Sequence, residues 1–323
     1  MARALPLLCL LLAATQARAG TEEIPLLLRQ IERGDRPQVD AAVARLSFLG
    51  AGRNVGESLG AMLGAPDPRV RESASYALAS LPDAAKGAQK LLLRALDDDS
   101  PLVRAQVARA LGRSGAKNAG AALAKAAADP LPFVRMAALV ALGSCAGPKD
   151  RSAAAPILAG LADKDPEVQS AACEAAGALK LSAAKPALVG LTTGSSELLR
   201  LAAARALLRL GAPEGKGFTE KLLGGDEASR IDGCRLLDGT KDRWAKDRVT
   251  ALLMDPLLSV RCACAKALAA QGEELGLAFL VVGAETSPDG AESLAYARIL
   301  DELKVSHDRR VELKKKHLPA ERR

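Results

Sequence analysis

A short segment, Asp-Pro or a close variant followed by Val-Arg and an Ala-rich run ending in Leu-Gly, returns along this chain at intervals of 30 to 34 residues. Its clearest copies are Asp67-Pro68-Arg69-Val70-Arg71, Ser100-Pro101-Leu102-Val103-Arg104, Pro132-Phe133-Val134-Arg135, Asp165-Pro166-Glu167-Val168-Gln169 and Leu258-Ser259-Val260-Arg261, with weaker copies around Asp40, Arg200, Arg230 and Ser293. Taking the residue at the Arg position as an anchor, the copies fall at 40, 71, 104, 135, 169, 200, 230, 261 and 293. So narrow a spread of spacings marks tandem units, each of which buries its apolar face only against its neighbours.

Each anchor carries its own helix signal. Asp or Ser before the run accepts from the free amides of the coming helix, and Pro at the first helical position gives up only a donor that had no partner. Apolar or small residues then follow three, six and seven places on, as in Val107, Ala110 and Leu111 after Arg104, which is helical periodicity. Gly112, Gly143 and Gly211 stand near the ends of these runs, where Gly tolerates the left-handed conformation that closes a helix. A second amphipathic segment precedes each anchor, for instance 88–96 and 248–254, so every unit reads as a helix pair. Composition agrees: 49% of residues are hydrophobic but 2% are aromatic, so the core is built of Ala, Leu and Val between closely spaced helices, and β-rich folds are disfavoured.

The Asp-Pro-x-Val-Arg and Ala-x-x-Ala-Leu-Gly elements resemble the short HEAT-like repeats of the family that includes the phycobilisome lyases, from Glu23 to Leu303. The resemblance implies an all-α fold, a right-handed α-solenoid of eight to nine helical hairpins. It also implies that the recurring arginines Arg71, Arg104, Arg135, Arg200, Arg230 and Arg261 form a structural ladder by pairing with the capping acids of their own or the next unit. Asp40, Gln169 and Ser293 depart from the pattern; two of these lie in the outermost units, where repeats are atypical, and Gln169 marks a weak joint in the middle. Such repeats serve many partners, so the fold assigns no chemistry.

The residues themselves argue against catalysis. Only His307 and His317 exist, both near the C-terminus and neither followed by Glu, which disfavours the His-Glu iron centre of deoxyhypusine hydroxylases and a triad hydrolase alike; no metal or cofactor is expected. Net charge is +7, yet residues 20–303 hold 35 basic and 35 acidic side chains. The excess is +5 in the tail 304–323 and +2 from Arg3 and Arg18, so a nucleic-acid partner is not expected. That tail, with Lys314-Lys315-Lys316, reads as a frayed basic terminus or a docking arm.

One column carries the expectation of binding. Five places after the anchors stand Arg45, Tyr76, Arg109, Val140, Glu174, Arg205, Arg235, Lys266 and Arg298. By the resemblance these helices line the concave side, so Arg45, Tyr76, Arg109, Arg205, Arg235, Lys266 and Arg298 form a candidate binding stripe, with Arg205, Arg235 and Lys266 its longest basic run. The alternative is a solvated helix face. Trp244 reads as a packing residue over a repeat edge. Cys145, Cys173, Cys234, Cys262 and Cys264 mostly align with Ala in other units and read as small packing residues; were the compartment oxidising, Cys234 and Cys264 in adjacent units are the pair best placed to bridge.

Residues 1–19 read as a cleavable signal peptide: Arg3, then apolar Leu5 to Ala14, then Ala17-Arg18-Ala19 before Gly20. Cys9 follows Leu8 where a lipoprotein site takes a small residue, and no later stretch suits a membrane span. The organisation expected is therefore signal peptide 1–19, solenoid 20–303 and tail 304–323. The function expected is that of an exported, periplasmic or secreted, non-catalytic scaffold holding a protein or peptide partner, an acidic one by the stripe. The alternative is an enzyme or enzyme accessory resembling a bilin lyase, and a further reading has the tail touching an anionic membrane or envelope polymer.

Overall fold

The computed structural model describes residues 22–50, 52–147 and 152–318; the expected signal peptide lies outside them. Among the described residues the regular structure is helical, and the fold is an all-α repeat solenoid. The chain divides after Leu210 into two compact units.

The first unit runs α1 (22–33), α2 (Arg36–Phe48), α3 (Gly52–Met62), α4 (Pro68–Ser80), α5 (Pro82–Gly87), α6 (Gln89–Ala95), α7 (Pro101–Ser114), α8 (Gly120–Ala126), α9 (Pro132–Cys145), α10 (Ala154–Leu161), α11 (Pro166–Ala178), α12 (Lys185–Leu191) and α13 (Glu197–Arg209). The second runs α14 (Pro213–Leu223), α15 (Glu227–Leu236), α16 (Arg243–Ala251), α17 (Leu258–Ala270), α18 (Glu274–Thr286), α19 (Gly290–Glu302) and α20 (His307–His317). The anchors fall on α2, α4, α7, α9, α11, α13, α15, α17 and α19. Within the first unit α4, α7, α9, α11 and α13 pack in succession, each also against the helix preceding it.

The local signals work largely as read. Asp35, Asp67, Asp165, Ser196, Asp226 and Asp289 cap their helices through their side chains. Ser100 departs: it makes no cap bond, and its hydroxyl donates instead to Glu72 at 2.8 Å. The glycines divide by role. Gly211 does adopt φ 72°, and Gly115 caps α7 at φ 67°. Gly112 and Gly143, however, lie inside helices rather than closing them. A Cβ on Gly112 would come within 2.9 Å of the Ala141 Cα, and one on Gly143 within 2.9 Å of the Ala175 Cα. Gly177 meets Ala206 at 3.0 Å in the same way. Eight places after one anchor, Gly thus meets Ala six places after the next, letting anchor helices approach backbone to backbone.

The chain does not end its packing at Leu303. Residues read as a frayed terminus or docking arm form α20, whose Leu313 is buried, followed by a buried Leu318. Arg309, Lys316 and His317 converge on Glu274 of α18, Lys314 pairs with Glu285, and Arg310 with Asp301. Two hydrophobic contacts and this ionic collar hold α20 as the closing helix of the second unit.

Candidate functional site

The ladder arginines occupy one geometry. Arg104 sends Nε and Nη2 to Asp129 at 2.7 and 3.1 Å, while its Nη1 donates to the carbonyls of Asp98 and Asp99. Arg71 does the same with Asp98 and the Ala65 and Pro66 carbonyls, and Arg135 with Asp163 and the carbonyls of Asp129 and Pro130. Each guanidinium therefore clasps the loop before its own helix and the aspartate of the following unit. The aspartates are oriented in turn by backbone amides, Asp98 by Ser100, Asp129 by Leu131 and Asp163 by Asp165. A hydrogen bond from Arg135 holds the Asp163 carboxyl below its usual range against the opposing effect of burial. Gln169 replaces the fork with one contact to the Leu161 carbonyl at 3.3 Å. Arg200 keeps its two carbonyls, at Gly194 and Ser195. In the second unit Arg230 stands 2.9 Å from Asp255, and Arg261 reaches Glu292 and the Tyr296 hydroxyl. These side chains are half-buried, but their engagement varies: Arg200 bonds through Nη1, and Arg230 Nε, though 2.9 Å from Asp255, makes no well-aligned hydrogen bond.

The column five places on is not one continuous basic surface. Arg45 is forked onto Glu23, whose hydrogen bond raises the guanidinium pKa, and lies over Phe48. Arg235 pairs with Asp232 and Lys266 with Glu302, so two members of the expected longest basic run are compensated by carboxylates. Arg205 is half-buried on α13 and Arg298 exposed on α19.

Tyr76 and Arg109 behave differently. They line one cleft of about 540 Å³ across α4, α7 and α9, together with Arg36, Gln106, Arg113 and Val140. No carboxylate lines it. The Arg36 guanidinium lies 3.7 Å from the centre of the Tyr76 ring, a cation–π contact that fixes it over the cleft. Arg113 is anchored by Nη1 on the Ala79 carbonyl at 2.8 Å. Arg109 is exposed beside Val140, which is 45% exposed. Arg36 also meets Asp40 at 3.1 Å, an exposed pair of the same kind as Arg235–Asp232 and Lys266–Glu302, so Arg109 and Arg113 are the cleft arginines without a carboxylate partner among the described residues. A second cleft of about 780 Å³ continues from Arg36 and Tyr76 towards Asp67 and Arg69, and here Glu32, Asp35 and Glu72 balance the charge. The first cleft is therefore lined by three arginines, one of them paired with Asp40, and an aromatic ring, suited to an anionic group flanked by apolar atoms.

Sequence columns missed Arg36, Gln106 and Arg113 because these are not equivalent positions of the repeat. A signal for Arg113 was present: it lies one helical turn beyond Arg109, on the same face.

The remaining singled-out residues are packing elements. Trp244 stands within the first turn of α16, donating from Nε1 to Glu220 at 2.9 Å with Lys216 over its ring. Cys234 and Cys264 form a disulfide with Cα atoms 5.3 Å apart. Burial pushes the Cys173 thiol up to about 12 and that of Cys262 to about 11, and Cys145 is likewise raised. None is a ready nucleophile.

These features define a class: an α-solenoid of helical hairpins tied by arginine and glycine ladders. The family model of HEAT repeats matches residues 56–143, 88–164 and 141–208, so this stretch of the chain is built of HEAT repeats. No curated protein matches it in sequence. Its fold is similar to that in the complex of CpcE and CpcF of phycocyanin lyase from Nostoc sp. PCC7120, at 22% identity and a TM-score of 0.52, covering 77% of this chain and 94% of that one. An engineered protein aligns at 21% identity and a TM-score of 0.47 over 92% of this chain and 95% of its own. A designed armadillo repeat protein in complex with a (KR)4 peptide aligns at 19% and 0.44, over 58% and 99%. Among the described residues no helix is long and apolar enough to cross a membrane.

Proposed function

We propose that this protein is an exported, non-catalytic scaffold that holds an acidic segment of a protein or peptide partner against the anchor helices of its first unit. The observation that carries the reading is the cleft that no carboxylate lines, where Arg36 lies over Tyr76 and Arg109, Arg113 and Val140 share the lining. A partner Glu or Asp side chain gains charge-assisted hydrogen bonds there, and neighbouring apolar side chains gain the Tyr76 and Val140 surfaces. Among the described residues the three free thiols are all raised in pKa, and both histidines lie on α20. Both facts favour binding over chemistry.

Export rests on the sequence of residues 1–19 and is supported by the Cys234–Cys264 disulfide, since such bonds persist in oxidising compartments. N-terminal sequencing of protein made in its native host is expected to begin at Gly20; an intact Met1 would overturn export.

Binding is tested by fluorescence anisotropy of a labelled peptide of alternating Glu and Val. Association is expected at about 0.05 M salt and should weaken strongly near 0.5 M, where screening reaches within a few ångströms. Arg109→Glu should weaken it by about tenfold. Equal binding by the variant, or by a Lys-Val peptide, would contradict the reading.

A further inference from the structure

The second unit holds a groove of about 750 Å³ that differs in kind from the arginine cleft. Its floor is one face of α18: Leu275, Phe279, Val282 and Thr286 recur at helical spacing over twelve residues, about 16 Å from first to last. Leu253 and Met254 form one wall, α19 another, and His317 at the end of α20 closes one edge. Met254 is 85% exposed and Leu275 43%, so apolar surface is left open on the rim as well as the floor. Phe279 meets Tyr296 edge-on at 5.6 Å, and Gly283 lets that ring lie flush: a Cβ there would come within 2.6 Å of it.

Charge at the groove selects its occupant. Asp255 is paired with Arg230, Arg261 with Glu292 and His317 with Glu274, so no unpaired ion faces a ligand. The Thr286 hydroxyl is used by the Val282 carbonyl. Glu292 is the exception: Arg261 and Tyr296 both donate to its Oε1, at 2.7 and 2.8 Å, and Oε2 retains acceptor capacity. The Tyr296 and Arg261 hydrogen bonds keep this carboxyl below its ordinary range, hence ionised. The volume falls within the several hundred Å³ usual for small-molecule sites, with mostly apolar walls and one oriented polar group.

We propose that this groove binds an uncharged, lipophilic small molecule, its apolar body along α18 and a hydrogen-bond donor directed to Glu292. The site lies wholly in the second unit and does not depend on the peptide reading of the first.

The probe is N-phenyl-1-naphthylamine, neutral and lipophilic with a single N–H, used with the full-length mature chain. Its fluorescence should rise saturably at one probe per chain. Val282→Trp fills the middle of the groove and Leu275→Arg charges its open end; each should weaken binding at least tenfold, with unchanged helicity by circular dichroism. Two variants at different points keep the test decisive if one folds poorly. The N-methylated probe, which has no donor, should bind wild type several-fold more weakly, and equal affinity would overturn the role of Glu292. Binding at many equivalents, unchanged in both variants, would overturn the site as mere diffuse apolar surface. A wild-type dimer that Leu275→Arg converts to monomer would overturn the small-molecule assignment in favour of a second copy.

Discussion

At the scale of single residues, two ladders hold the first unit. The glycine ladder has little tolerance, because Gly143 faces backbone rather than a movable side-chain tip. Gly143→Val should cost about 1–3 kcal/mol through overpacking, read by denaturant titration, whereas Val at exposed Gly190, which meets nothing within 4 Å, should show no overpacking cost. The arginine ladder fails differently. Arg104→Ala leaves Asp129, whose side chain is 7% exposed, with only the Leu131 amide, and should cost about 2 kcal/mol. The resemblance to HEAT-like repeats implies an arginine ladder but places it on the capping acids, whereas Arg71, Arg104 and Arg135 reach Asp98, Asp129 and Asp163, two places ahead of the caps Ser100, Leu131 and Asp165. Sequence misassigns Gly112 and Gly143 because Leu-Gly near the end of a run looks the same whether Gly closes the helix or admits a neighbour. Only the partner Ala, a unit away, distinguishes the two.

At the scale of elements, α20 is the helix that sequence underrated. Its Lys-rich composition reads as solvated, and the two features that dock it, Leu313 and the carboxylate of Glu274, lie too far apart in the chain to be recognised together. Hydrogen bonds from Lys316 and His317, joined by Arg309 and opposed by burial, hold Glu274 at about 2, below its ordinary 4.5. A carboxyl depressed in the folded state contributes stability that is complete above its ordinary pKa and is lost as pH falls through the folded value. The contact should therefore weaken between pH 4.5 and about 2, with amide exchange over 307–317, corrected for its intrinsic rate, accelerating ahead of that in α19. Glu274→Gln should make this region exchange quickly already at neutral pH. Within the same unit the Cys234–Cys264 bond closes a 30-residue separation between adjacent anchor helices; sequence singles the pair out only as the best placed to bridge, four and three places after their anchors, because cysteines aligned with Ala read first as packing residues. Its removal by Cys234→Ser with Cys264→Ser should cost about 3–4 kcal/mol. Calorimetry checks it: the double variant should unfold at lower temperature and lose its response to dithiothreitol.

At the scale of the whole molecule, periodicity makes the fold class legible from end to end, because every unit repeats the same helix signals. Function is less legible for the same reason. A repeat column treats equivalent positions as equal, while the candidate site arises where they are not. Arg45, Arg235 and Lys266 meet carboxylates, as Arg36 does at Asp40, while Arg109 is joined beside Tyr76 by the non-equivalent Arg113 in a cleft that no carboxylate lines. The central claim is that this local excess of positive charge selects an acidic partner. The most direct measurement is a charge swap: anisotropy titration of Glu-Val and Lys-Val peptides against wild type and Arg36→Glu/Arg109→Glu, at low salt. Exposed substitutions such as these should change stability by little more than about 0.5 kcal/mol each. The account predicts that wild type binds the Glu peptide and that the double variant loses it and gains the Lys peptide. Unchanged preference in the variant would contradict it.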